Sequence, residues 1–367
     1  MSGTAALVSD LHLGQVQRAD LLRRADVRAS FFAALEGVDE LVLLGDVIEL
    51  REGPVLPALR AARPFFEELG EAMAGRRVVL LAGNHDHRLI ASWLERRRTL
   101  DTPPPLGLAE KIEPGEASEA AAILARWLGQ TPLELSYPGV WVRDDVYATH
   151  GHYLDRHVTI PGFEPMAIRF SERLLSRGGG RPPAGAEGYE AVLGPVYGLL
   201  HEWAQSSRAG TAHGAGASQK AYKALTSDGG RPLARRLVGG VAYPAAIGLI
   251  NAIGLGPVRA DLSGPELRRA GLLALGETLR RLDVRAEHVV FGHTHRAGPL
   301  PHDDPDEWRH AGARIVNAGS WVYEPFYLGP DAARSPYWPG TVVIVGEDGP
   351  PELRRLLLDR TLAELAG

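Results

Sequence analysis

The stretch that decides the reading is LLAGNHDHRL, residues 80–89. An apolar run from Val78 to Ala82 leads directly into Gly83, Asn84, His85, Asp86 and His87. A short apolar run closed by glycine reads as a buried strand. Four consecutive polar side chains then sit at its end, each able to bind a metal or move a proton.

The same arrangement recurs on either side. Runs at 5–9 (AALVS), 40–44 (ELVLL), 77–82 (RVVLLA), 145–149 (DVYAT) and 288–291 (HVVF) read as strands. Each is followed at once by a polar cluster. SDLHLG supplies Asp10 and His12, LGDVIEL supplies Asp46, THGHYLD supplies His150 and His152, and GHTHRAG supplies His293 and His295. Further strands are predicted at 313–318, 340–345 and 352–358. Helical patterns lie between the first three strands: Phe31, Phe32 and Leu35 mark one, and residues 57–73 the other, with Leu59, Phe65, Phe66 and Leu69 on one face. This alternation predicts an α/β fold. In such folds ligands gather at the carboxyl ends of strands, so five loops would converge on one edge. A single D-x-H or G-D is commonplace and usually structural. Five clusters in this order, each closing a strand, are not.

Composition sets the chemistry of that edge. The chain has 367 residues and no cysteine, which removes thiolate ligands, disulfides and cysteine nucleophiles together. Asp, Asn and His remain, a set of oxygen and nitrogen donors suited to manganese, iron, zinc, nickel or cobalt. One zinc-like ion needs three or four ligands. At least seven are present, enough for two ions sharing a carboxylate, an arrangement suited to displacement at phosphorus. The net charge of -5 argues against a nucleic-acid partner. The N-terminal MSGTAALVSDLHLG lacks the basic and long apolar regions of a secretory signal, and the expected location is cytoplasmic.

Residues from about 153 to 285 differ from the rest. They carry few strand signals and two Gly-rich stretches, 176–188 and 208–218. Ser263, Pro265 and Glu266 form a capping box ahead of a helical run. Leu237 to Val258 is uncharged throughout, yet interrupted by glycine and proline. It reads as buried or lid helices, or as a surface touching lipid, in preference to a membrane span.

The series DLH, GD, GNHD, THGH, GHTH resembles the calcineurin-like metallophosphoesterases, over residues 5–152 and 286–345. The resemblance implies a four-layer α/β/β/α sandwich with a bimetal site between its sheets. It implies domain pieces at 1–152 and 286–367, with 153–285 a helical insertion acting as lid or substrate-selecting wall. Carried over by position, one metal takes Asp10, His12, Asp46 and His295, and the other Asp46, Asn84, His150 and His293. Asp46 bridges the two ions, with manganese the first expectation. His85 then faces the phosphate as charge stabiliser or acid, with Asp86 orienting its ring. His87 and His152 are expected to be structural. Arg88, Arg156 and Arg296 follow the motifs and could contact phosphate oxygens. VNAGS, ending at Ser320, resembles the turn that follows the last motif.

Within the superfamily, SDLHLG, GDVIE and GHTHR look most like the UDP-2,3-diacylglucosamine pyrophosphohydrolase branch, which usually has Arg at the position of His85 and a shorter insertion. The expected substrate is a phosphorylated small molecule or a lipid-linked or nucleotide-linked diphosphate, with loose membrane association. A small-molecule or cyclic-nucleotide phosphodiesterase is the alternative enzyme, and a non-catalytic scaffold on the same fold the alternative of another class.

Overall fold

The structure is a computed structural model that describes residues 3–158, 183–206, 264–329 and 331–367. The two Gly-rich stretches fall wholly or largely outside the described residues, as do Ser263 of the capping box and the uncharged segment 237–258.

Among the described residues, twelve strands are joined by hydrogen bonds, ten of them along one path. They are β1 (Ala5–Val8), β2 (Glu40–Leu43), β3 (Arg77–Leu81), β4 (Ala109–Ile112), β5 (Leu133–Arg143) and β6 (Val146–Thr149), then β7 (His288–Phe291), β8 (Ala297–Gly298), β9 (Arg309–His310), β10 (Ala313–Ala318), β11 (Thr341–Val345) and β12 (Glu352–Arg355). The order is β12-β11-β1-β2-β3-β5-β6-β7-β10-β8, with β4 on β5 and β9 on β10. Strands β1, β2 and β3 run parallel, as do β6, β7 and β10.

The path is two sheets sharing β5. Residues 133–136 of β5 pair with β3, and residues 139–143 pair with β6. Pro138 and Gly139 sit at the crossing. These two breakers conceal the strand in the sequence, and they stand where the chain leaves one sheet for the other.

Alternate burial shows the layers. Ala5, Leu7, Val42, Leu44, Val79 and Leu81 share an apolar cluster with Val140, Val146, Val290 and Val316 of the second sheet. Their neighbours Ala6, Val8, Leu41, Leu43, Val78 and Leu80 face a separate core. Successive strand side chains point to opposite faces, so the first set forms a sheet-on-sheet core. The second set packs on helices: α1 (Ala25–Ala33) contributes Phe31, and α2 (Val55–Ala72) contributes Phe65, Phe66 and Leu69. On the other sheet, Leu275 and Leu279 of the Gly264–Leu282 helix share a core with Val289 and Ile315. The architecture is α/β, helices outside and two sheets within.

The helix Gly185–Ser206 also joins the main core, burying Tyr189, Leu193, Val196 and Tyr197. No described helix is long and apolar enough to cross a membrane.

Candidate metal centre and its surroundings

Every polar cluster stands just beyond the carboxyl end of a strand, and the parallel pairing brings those ends together. The loops are laced to one another. His12 N donates to Asp46 O at 2.8 Å, His293 N to Asp10 Oδ2 at 2.8 Å, and His85 N to Asp46 Oδ1 at 2.8 Å.

The backbone there is strained. Eight non-glycine residues among those described have positive φ, and five of them are Asp10, His12, Asp46, His293 and His295. Such conformations are uncommon outside glycine and cluster at functional sites. Two glycines are required by crowding. A Cβ at Gly83 would strike Asp46 Oδ1, and one at Gly292 would strike Ser9 Oγ and crowd Asp10 Oδ2.

Two donor groups result. Asp10, His12 and His295 present ligand atoms within 4.8 Å of one another, and so do Asp46, His150 and His293. Asp46 Oδ2 lies 3.8 Å from His12 Nε2 and 3.3 Å from His150 Nε2, so this one atom faces both groups. Asn84 Oδ1 lies 3.2 Å from His150 Nε2. A third combination, His12, Asp46 and His85, also falls within 4.8 Å. Thus the structure brings together all seven ligands expected from the sequence.

The rings are fixed from behind. His12 Nδ1 lies 3.0 Å from Glu49 Oε2, His295 Nδ1 lies 3.2 Å from Glu324 Oε2, and His150 Nδ1 donates to Leu44 O at 2.8 Å. Each leaves Nε2 for the centre. His293 Nε2 is held at 2.8 Å by Asp155 Oδ1. Carboxylates behind metal-ligating histidines set their tautomer and raise their basicity.

The donor set fits two divalent cations. Asp10 Oδ1 is buried and faces His295 Nε2 at 3.4 Å and His12 Nε2 at 3.9 Å, while those two ring nitrogens stand 3.1 Å apart. Two ring nitrogens converging on one buried carboxylate oxygen call for a shared positive charge. Burial pushes Asp10 up, but the His12 and His295 rings outweigh it and hold this carboxyl below its ordinary range. Asp46 likewise stays well below its usual value, because His150 and His85 outweigh the effect of burial. Burial alone would lower His150 and His295. Asp46 beside the first, and Asp10 and Glu324 beside the second, instead push each up to about 9.

One expected role is overturned. Asp86 does not orient His85. Its carboxylate accepts from the backbone N–H of Gly83 at 2.7 Å, Val47 at 2.7 Å and Asp46 at 3.2 Å, so it clamps the second and third loops together. Burial, then the charge of Asp46, pushes its carboxyl up to about 6. The group behind His85 is Glu49, whose Oε2 lies 2.7 Å from His85 Nδ1 as well as beside His12. Adjacency in sequence misled here, because side chains of neighbouring loop residues diverge.

His87 does more than shape its loop. Its Nε2 lies 3.1 Å from Glu190 Oε2 on the Gly185–Ser206 helix, and Glu190 also accepts from Tyr137 and Tyr153. His152 is buried against Tyr137 and beside the His150 ring. Asn317 of the VNAGS turn donates to Gly292 O at 3.1 Å and so supports the last metal loop.

The three arginines separate. Arg88 begins α3 (Arg88–Arg98) and lines a cavity of about 250 Å³ together with Asn84 and His85. Arg296 is committed elsewhere: its guanidinium binds Asp303 at 2.6 Å and lies over Trp308, as a buried cation requires. Arg156 ends the short turn His152–Arg156 and does not line that cavity.

Glu49, Asp155, Glu190 and Glu324 are the residues that sequence reasoning missed. Glu49 and Asp155 stand inside the motif stretches GDVIEL and THGHYLD, and a search for carboxylates behind the histidines would have found them. Glu190 and Glu324 carry no local signal.

The sequence profile of the calcineurin-like phosphoesterases matches residues 3–198, more than half of the chain. The protein belongs to the calcineurin-like phosphoesterase family. With its His and Asp clusters it is a metal-dependent phosphoesterase. Among solved structures it is similar to a dimetal phosphatase from Danio rerio, at 14% identity over 96% of this chain and 98% of that one, with a TM-score of 0.33. It is also similar to a cold-active protein-tyrosine phosphatase of a psychrophilic Shewanella, at 16% identity over 96% and 80%, with a TM-score of 0.29. No curated protein matches.

Proposed function

We propose that the chain hydrolyses a phosphodiester or diphosphate bond in a substrate with an apolar arm, as expected of a relative of the UDP-2,3-diacylglucosamine pyrophosphohydrolase branch. The observation that carries the hydrolytic reading is Asp46 Oδ2 standing between His12 Nε2 and His150 Nε2, with Asp10, Asn84, His293 and His295 around it. When bound, two divalent cations, manganese first among them, supply an activated water and neutralise the phosphoryl oxygens. The chain's own residues do the rest. Glu49 holds His85 Nδ1, leaving Nε2 free to give a proton to the departing oxygen. The strained loops hold the donors before substrate arrives, so no reorganisation is needed during reaction.

Support for the apolar arm comes from a second cavity, of about 270 Å³, reaching His293 and walled by Leu154, Leu272, Phe291 and Trp308. Each methylene buried there contributes about 0.8 kcal/mol. This reading goes with a cytoplasmic location and loose membrane contact, to which the segment 237–258 would contribute.

Turnover of bis(4-nitrophenyl) phosphate, lost on chelation and restored by manganese, tests the hydrolytic reading. Metal-loaded protein with no turnover would leave a scaffold. His85→Ala should keep its metal and lose about 10²–10⁴-fold in turnover, less for good leaving groups. Equal loss for good and poor leaving groups would remove His85 as the acid. Substrates differing only in acyl length test the apolar arm: kcat/KM should rise with length, and a flat series would end that part of the reading.

A further inference from the structure

The cavity holding His85 differs from the second one in its cations: the second is lined by Arg268 and Arg296, and both of these are paired with the buried Asp303. The His85 cavity lies between α3 and the Gly185–Ser206 helix, with Asn84 and His85 among its lining residues. Three arginines line it, Arg51, Arg88 and Arg98. Two carboxylates, Glu95 and Glu202, also line it, so its charge is net positive. Arg88 and Glu95 stand 3.7 Å apart and are exposed, a pairing worth little in water. Arg51 lies beside the Tyr197 ring, 6.0 Å from its centroid. His201 is buried, its Nδ1 donating to Leu50 O at 3.0 Å, and burial holds its pKa below the ordinary value. A neutral ring with Nδ1 already used keeps Nε2 for another partner.

The helices that make the cavity are fixed in place. Glu190 of the Gly185–Ser206 helix is 2% exposed and is bound by His87, Tyr137 and Tyr153. This ties the cavity wall to the loop that carries Asn84 and His85. In addition, α3 runs along the cavity for its whole length and lines it with Arg88, Ala91, Leu94, Glu95 and Arg98.

We infer that this cavity is the leaving-group subsite and that it takes a leaving group with a negative charge of its own, such as a phosphate or carboxylate. The inference rests on the hydrolytic reading above and adds the chemistry of the departing arm. Water's oxygen bonds to phosphorus, and the P–O bond on the His85 side breaks with its electron pair going to that oxygen. His85 gives its proton to this oxygen and regains one from the water, whose other proton stays on the phosphate product. The released arm is an anionic alcohol or a phosphate, held by guanidinium groups that match oxyanions in geometry as well as charge.

The test compares the diesters methyl phenyl phosphate and methyl 3-carboxyphenyl phosphate, whose phenols are of nearly equal acidity, so that the added charge is the main difference. The metal-loaded full chain should favour the carboxylated ester by about tenfold or more in kcat/KM. That ratio should fall toward one in Arg51→Ala and Arg98→Ala, and should shrink with added salt. Gly198→Leu provides a variant that does not depend on removing charge. Gly198 lines the cavity, a Cβ there meets nothing within 4 Å, and leucine favours the helix. It should fill the cavity and lower the ratio while the fold survives. A wild-type ratio near one, with both esters hydrolysed, overturns the anionic subsite and leaves the hydrolytic reading standing. A high ratio unchanged in all three variants also overturns it. Hydrolysis of neither ester by protein with its metal bound contradicts the hydrolytic reading itself.

Discussion

Glu49 shows how much of this centre lies behind the ligands. Its Oε2 serves both His12 and His85, so a single carboxylate fixes one metal ligand and the group that meets substrate. Glu49→Gln removes the charge while keeping the shape. Loss of such a partner costs roughly 10–100-fold in metal affinity or activity. Titration with manganese, followed by turnover at saturating metal, should show both losses. A variant with wild-type affinity and rate would remove Glu49 from the account. The histidines add a pH signature in metal-free protein. His150 and His295 are raised from 6.5 to about 9 in the fold. The folded state therefore holds protons that the unfolded chain releases. Their stabilisation is fully present below about pH 6.5 and is lost as pH rises toward 9. Chelated protein should show a falling Tm over that window, with a smaller fall when metal replaces the protons. A flat or rising Tm in chelated protein would contradict the charge arrangement described.

Strand ends and the loops that follow them carry the site, and much of that was legible in the sequence. Short apolar runs ending in Asp, Asn or His located β1, β2, β3, β6 and β7, because a parallel strand buried on both faces reads as a continuous apolar run. The ligand set was legible for the same reason, since each ligand follows its strand at once. The bridging strand β5 was not, because Pro138 and Gly139 interrupt it where it changes sheets. The role of Asp86 was also hidden, because its partners are backbone N–H groups of another loop. Gly83 and Gly292 offer a test at this scale. Gly292→Ala places a methyl against Ser9 and Asp10, and the loop bearing His293 and His295 must then move. Metal binding should weaken by at least tenfold while the far-UV circular dichroism stays near wild type. Unchanged metal affinity would show that the close approach of these loops is not needed.

Across the whole molecule, two sheets back to back bring five loops to one edge, and two helices from the 153–285 region frame what reaches it. The Gly185–Ser206 helix is bolted to the third motif through Glu190 and His87, and the Gly264–Leu282 helix walls the second cavity with Leu272. The region that reads as an insertion in the sequence thus helps to wall one cavity on the His85 side, lined by Arg51, Arg88 and Arg98, and another on the His293 side, lined by Leu154, Leu272, Phe291 and Trp308. Its packing was not legible, because the long-range partners Tyr137, Tyr153 and His87 give no local pattern. The central claim is that one carboxylate, Asp46, holds two ions together. Elemental analysis of active wild-type protein and of Asp46→Asn, read beside turnover of bis(4-nitrophenyl) phosphate, tests it most directly. The account predicts two divalent ions per chain in the wild type, and fewer than two with activity abolished in Asp46→Asn. One ion or none in fully active wild-type protein, or two ions and full activity in Asp46→Asn, would contradict it.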